Sequence, residues 1–257
     1  MCDVAGGLLL QSRFRVQGKA VFAPDADFTT LTVDLLEAWC SLGGEPCIAG
    51  LPDAVAADVV RASLPHLVED AASPWHLHVL DHAVAIVEGD APLLPALSGD
   101  DVIVMEPAMH EGLEDAWREE CSSSNVSQGA YVSDRTHRLG MTARLALAAQ
   151  VGPTWPPRGA DHNGQVLAEG GNLVPFGSVY SWTRLVPAGA PSEFALRAPL
   201  LGGLTSMVVE LDDGPRGVFL HADGHESVVD IGRSVRLVVR RLYAQDGVLR
   251  YGRKALS

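Results

Sequence analysis

Between Phe28 and Leu42 the apolar positions Leu31, Leu35, Ala38, Trp39 and Leu42 recur at helical spacing. Asp25 or Asp27 stands where a cap is needed, and Gly43-Gly44 ends the run. The same spacing returns from Pro52 to Leu67 through Val55, Val59, Val60 and Leu64, from Leu113 to Trp117, and from Arg135 to Gln150 through Leu139, Ala143 and Leu147. Strand-like runs, His76 to Val87 and Asp101 to Met105, lie between these helices, separated by Pro- and Gly-rich turns. Residues 1–151 therefore read as a mixed α/β domain.

The pattern changes at Gly152. Gly152-Pro-Thr-Trp-Pro-Pro-Arg158, Gly159-Ala-Asp-His-Asn-Gly164 and Gly170-Gly171 are too rich in breakers for regular structure, so residues 152–176 read as a linker. Beyond it come five β-rich runs: Ser178 to Leu185, Leu204 to Leu211, Val218 to His221, Val235 to Leu242 and Val248 to Tyr251. Turn chemistry at Asp212-Asp213-Gly214-Pro215, Ala222-Asp223-Gly224 and Gln245-Asp246-Gly247 separates them. Five strands at this spacing predict a small barrel over residues 177–257. Val235, Leu237 and Val239 are expected inside it, and Arg236 and Arg240 outside. The fold class expected is α+β.

Composition adds a charge asymmetry. The 257 residues carry a formal charge of −13; residues 1–176 hold nine basic and twenty-four acidic side chains, and residues 177–257 ten and eight. An acidic surface repels a phosphate backbone, which argues against nucleic acid or an anionic membrane as partner. No run approaches the roughly 20 apolar residues of a membrane helix. Met1-Cys2-Asp3 followed by Leu8-Leu9-Leu10 lacks the basic and apolar regions of a secretion signal. The expected location is cytoplasmic, with Cys2, Cys40, Cys47 and Cys121 as reduced thiols.

Three further motifs resemble, in order and spacing, the acyl-CoA-associated OB-fold proteins that carry an N-terminal zinc ribbon. They are Gly177-Ser-Val-Tyr-Ser-Trp-Thr183, Met207-Val-Val-Glu-Leu-Asp-Asp-Gly-Pro-Arg216 and Asp230-Ile-Gly-Arg-Ser-Val-Arg236. Trp155-Pro-Pro-Arg158 resembles the aromatic-Pro-Pro-Arg element of that ribbon. The resemblance implies a C-terminal five-stranded OB-fold barrel in an accessory, non-catalytic subunit of an acyltransferase complex. The subunit would dock on a thiolase-, hydroxymethylglutaryl-CoA-synthase- or ketosynthase-like enzyme as a hetero-oligomer, and a coenzyme A thioester would be its ligand or shared substrate. Zinc needs four ligands, and no cysteine follows Cys121 while His162 is the lone histidine between Gly152 and Gly177. The ribbon is therefore expected to be degenerate and metal-free. Gly18 to Val33 is faintly similar to the start of a hydroxymethylglutaryl-CoA-synthase-type domain, as are Trp117-Arg118 and Ser133-Asp134-Arg135 to a later piece. The chain is too short for a whole condensing enzyme, so the resemblance implies a truncated, inactive thiolase-like half, and an unrelated α/β domain is the alternative reading.

The candidate ligand residues are Tyr180, Trp182, Arg184, Phe194, Arg197 and Arg216, with arginines for phosphate and rings along a pantetheine. Core packing for each ring and a solvated face for each arginine is the competing reading. Trp155, Pro156, Pro157 and Arg158 are the candidate partner interface. Two other functions remain in view. A stand-alone enzyme would use Cys40, Cys121 or the His76/His78/His82 group, whose spacing also invites a metal but fits solvated strand positions better. An OB-type nucleic-acid binder would use Tyr180, Trp182, Phe194 and Phe219 with Arg236, Arg240 and Arg241, against the overall charge.

Overall fold

A computed structural model describes residues 1–4, 6–97, 101–123, 134–149, 155, 171–224 and 229–257. The chain divides by packing into two compact units, Met1–His110 and Glu111–Ser257, so the division falls at 110/111 while the change of composition falls at Gly152.

The first unit contains β1 (Cys2–Val4), β2 (Gly7–Gln11), β3 (Phe14–Val16), β4 (Lys19–Ala20), α1 (Phe28–Ser41), β5 (Cys47–Ile48), α2 (Ala57–Ser63), β6 (Val68–Glu69), β7 (Trp75–Leu80), β8 (Ala83–Glu88) and β9 (Ile103–Val104). Four strands form an antiparallel sheet in the order β1-β2-β8-β7. α1 packs against β2 and β8 and buries Leu31, Val33, Leu35 and Leu36. Asp27, not Asp25, is its cap: the carboxylate accepts from the Thr30 amide, and the Thr30 hydroxyl accepts from the Asp27 amide. The second helix is shorter than its apolar stripe because Pro65 excludes Leu64 from helical backbone, and Leu64 stands at φ −126°, ψ 72°. The run from His76 to Val87 is a hairpin turning at Asp81-His82, with His82 at φ +50°.

The second unit follows from α3 (Pro107–Ser122), whose first four residues precede the division, through α4 (Asp134–Leu145), β10 (Phe176–Leu185), α5 (Arg197–Leu200), β11 (Leu204–Leu211), β12 (Arg216–Leu220), β13 (Ser234–Gln245) and β14 (Val248–Leu256). The strand order is β12-β11-β10-β13-β14, all antiparallel, and a parallel bridge from His221 to Ala255 joins the two ends. The Ala222 amide donates to the Ala255 carbonyl at 2.9 Å. The result is a nearly closed five-stranded barrel whose connectivity fits the OB-fold. Val179, Met207, Val209, Leu211, Phe219, Val235 and Leu237 fill its interior, together with Leu147, Ala149 and Leu173.

Val235, Leu237 and Val239 are buried as expected, but Arg240, expected outside, is buried as well, and so is Arg241. The alternation that marks a half-solvated strand fails here because the outer side of β13 is covered: Trp117 of α3 lies 4.5 Å from the Arg241 guanidinium. The β13–β14 turn is held to the end of α3, the Asp246 amide bonding to Ser123 O and that of Gly247 to Cys121 O. No described helix is long and apolar enough to cross a membrane.

Candidate functional site

β12 joins β14 only through the single bridge at His221, so the body of β12 leaves that edge of the barrel unzipped. The opening is a cleft of about 570 Å³. Val218 and Leu220 of β12 form one wall, Leu242, Tyr243 and Arg253 the other, and Phe194, in the long connection between β10 and β11, closes one side. The volume lies in the range of small-ligand sites, and the lining is mostly apolar with a few polar groups, as such sites require. Burial pushes the Tyr243 phenol above its ordinary range, against the pull of Arg250 and with a smaller push from Glu193. It therefore remains a neutral hydroxyl at physiological pH.

The outer surface beside the cleft carries a cation. Arg216 and Val218 alternate onto the same exposed face of β12, two residues apart, so the strand that forms one wall of the cleft also carries this arginine. A bulge in β10 between Val179 and Ser181 makes Tyr180 the extra residue. Its ring lies 3.5 Å beneath Arg216, and Glu210 accepts two bonds from the same guanidinium at 3.0 and 3.1 Å. Both side chains of this pair are about half exposed, so salt weakens it.

The remaining candidates are dispersed. Pairing places Trp182 on one rung with Met207 and Phe219, both buried, yet it is 47% exposed. Arg184 donates to Gly202 O at 3.0 Å and anchors the far end of β10. Arg197 is 1% exposed and faces no open channel. It donates to Glu120 Oε1 at 2.8 Å and to Leu242 O at 2.7 Å, and its guanidinium lies 3.8 Å over Trp117. Asp223, 3.9 Å from Arg197 Nη1, accepts from Lys254 Nζ at 2.9 Å. Trp117, Glu120, Asp223 and Lys254 carry no sequence signal that marks them as site residues. Burial pushes the Glu120 carboxyl above the ordinary carboxylate range, outweighing the bond and charge of Arg197, which pull it down. This buried cluster underlies the cleft as support, since Leu242 belongs to both.

Of the proposed interface, Trp155 stacks on Phe219 with centroids 4.8 Å apart, while Pro156, Pro157 and Arg158 lie outside the described residues. A Cβ on Gly217 would sit 2.6 Å from the Trp155 ring, so this close stack requires glycine there.

In the first unit, His78 Nε2 is 2.9 Å from Gly89 O, and His82 Nδ1 is 2.7 Å from Asp81. Among the described residues no three His, Cys, Asp or Glu side chains come together as a metal site. The Cys40 thiol is pushed up by partial desolvation and then by Glu37, which works against a thiolate nucleophile there. No protein-family model and no curated protein matches this sequence.

Proposed function

We propose that the C-terminal barrel holds a coenzyme A thioester and that the chain is an accessory, non-catalytic subunit of an acyltransferase assembly. The acyl-pantetheine arm would occupy the cleft, between Phe194, Val218 and Leu242, and a phosphate would take the place of Glu210 on Arg216. The observation that carries this reading is that β12 forms one wall of an apolar cleft and bears, two residues from Val218, an exposed, aromatic-backed arginine. An amphiphilic anion needs both at once. The charge distribution agrees: residues 1–110 hold four basic and sixteen acidic side chains, residues 111–257 fifteen and sixteen, so the barrel unit alone is near neutral.

In this reading the barrel is an OB-fold, and the Trp155 segment is a ribbon remnant held by packing on Phe219 instead of by zinc. Residues 1–151, which carry the faint likeness, are a shortened condensing-enzyme half in the cytoplasm. The partner is a thiolase-, hydroxymethylglutaryl-CoA-synthase- or ketosynthase-like enzyme, which would supply the nucleophile for acyl transfer or C–C bond formation. Affinity purification of the tagged chain from its native host tests the docking. A thiolase-superfamily enzyme is expected in stoichiometric amount, and a chain that elutes alone under mild salt contradicts the assembly.

A further inference from the structure

The geometry points to a second ligand site, in the first unit: we propose that the cleft between the end of α1 and the sheet binds a small organic cation of the alkylated ammonium class. This cleft has a volume of about 540 Å³. Trp39, near the end of α1, and Trp75, at the start of β7, line it with ring centroids 4.5 Å apart and planes at 58°. Its rim carries three exposed carboxylates, Asp3, Glu45 and Glu88, and no lysine, arginine or histidine is among the described residues that line it.

The aromatic pair is built in place. Trp39 Nε1 donates to Glu45 O at 3.1 Å, which ties the turn after α1 to the indole. Gly44 rests so closely on the same ring that any Cβ would collide with it. The turn thus fixes both an indole and a rim carboxylate in one unit. α1 also ends at this cleft with no basic residue in its last turn, so the negative end of its dipole is not offset there.

Three ligand chemistries can be compared against these groups. An anion meets three carboxylates, a helix C-terminus and the twelve-charge acidic excess of residues 1–110. A hard metal ion needs six or more converging oxygens, whereas the described residues bring no three carboxylates or other ligating side chains together. A weakly hydrated alkylammonium ion suits the site, because the part of the indole pair that lines the cleft attracts it without replacing a tight hydration shell and the rim carboxylates neutralise it at a distance. The cleft is separate from the barrel, and the opposite charge of its ligand separates it from the thioester reading.

The test is a titration of the full chain with choline and with 3,3-dimethylbutan-1-ol, its uncharged carbon isostere, followed by tryptophan fluorescence and calorimetry. Choline is expected to saturate one site and to bind about tenfold more tightly than the alcohol, a ratio set by charge alone since shape is shared. The double variant Asp3→Asn with Glu88→Gln changes two exposed side chains and is expected to weaken choline several-fold while leaving the alcohol unaffected. Equal affinity for the two probes, choline affinity unchanged in the double variant, or no saturable signal would each overturn the proposal.

Discussion

Replacing Arg197 by methionine is expected to lower the stability of the C-terminal unit by about 3–5 kcal/mol, the range for removing one member of a buried ion pair. The side chain donates to Glu120 and to Leu242 O and covers Trp117, so its loss strands a buried carboxylate and uncovers a ring. The deficit depends on pH with a definite sign. Glu120 already holds its proton more tightly in the folded than in the unfolded chain. Its contribution is therefore fullest below the ordinary carboxylate pKa and declines as the pH rises through the raised one. Without Arg197 the pKa rises further, so the gap between variant and parent widens from acid to neutral pH. Urea unfolding at a series of pH values measures this. Pairing Arg197→Met with Glu120→Met should recover most of the loss, since apolar groups of similar size replace buried pairs at little cost. A gap below about 1 kcal/mol at neutral pH would place the pair at a solvated surface, contrary to its burial.

Substituting Trp155 by alanine is the second large effect. Its indole stacks on Phe219, lies against Gly217 and packs on the barrel core, and removal uncovers that part of the core. A loss of about 3 kcal/mol is expected, or roughly 6–12 °C in the melting temperature of a unit this size. Trp155→Phe should retain most of the stack and most of the stability. If Trp155→Ala leaves the melting temperature unchanged but abolishes docking on a partner enzyme, the side chain serves an interface and not the core.

How much of this was readable in the sequence differs between the strands and the charges. The five barrel strands were legible because Asp212-Asp213-Gly214-Pro215 and Gln245-Asp246-Gly247 punctuate them; Leu204–Leu211 begins and ends where its pattern does. α1 was legible from its stripe and from a nearby aspartate. The burial of Arg197, Arg240, Arg241, Arg253 and Lys254 was not, because a charge ordinarily marks the surface and these are covered only by tertiary packing. Glu120, the partner of Arg197, lies 77 residues away, and no local pattern encodes that pairing. β1 to β4 were missed for a different reason: each has two to five residues, too few for alternation to register. Among the ligand candidates, Tyr180 and Arg216 do meet, through a bulge that sequence does not reveal, whereas Arg197 is buried. The cleft arises from a pairing that β12 does not make, and such an absence leaves no mark on the apolar pattern.

The central claim is that an acyl thioester of coenzyme A enters the cleft beside Arg216. Calorimetric titration of the chain with a medium-chain acyl-CoA, in parallel with the variant Val218→Glu, tests it most directly. Val218 is exposed on β12, so the change should leave the fold intact, while it puts a carboxylate into the cleft wall. Saturable one-to-one binding that weakens by about tenfold or more in the variant, and weakens with added salt in the parent, is the predicted result. Absence of binding by the parent, or equal binding by parent and variant, would contradict it.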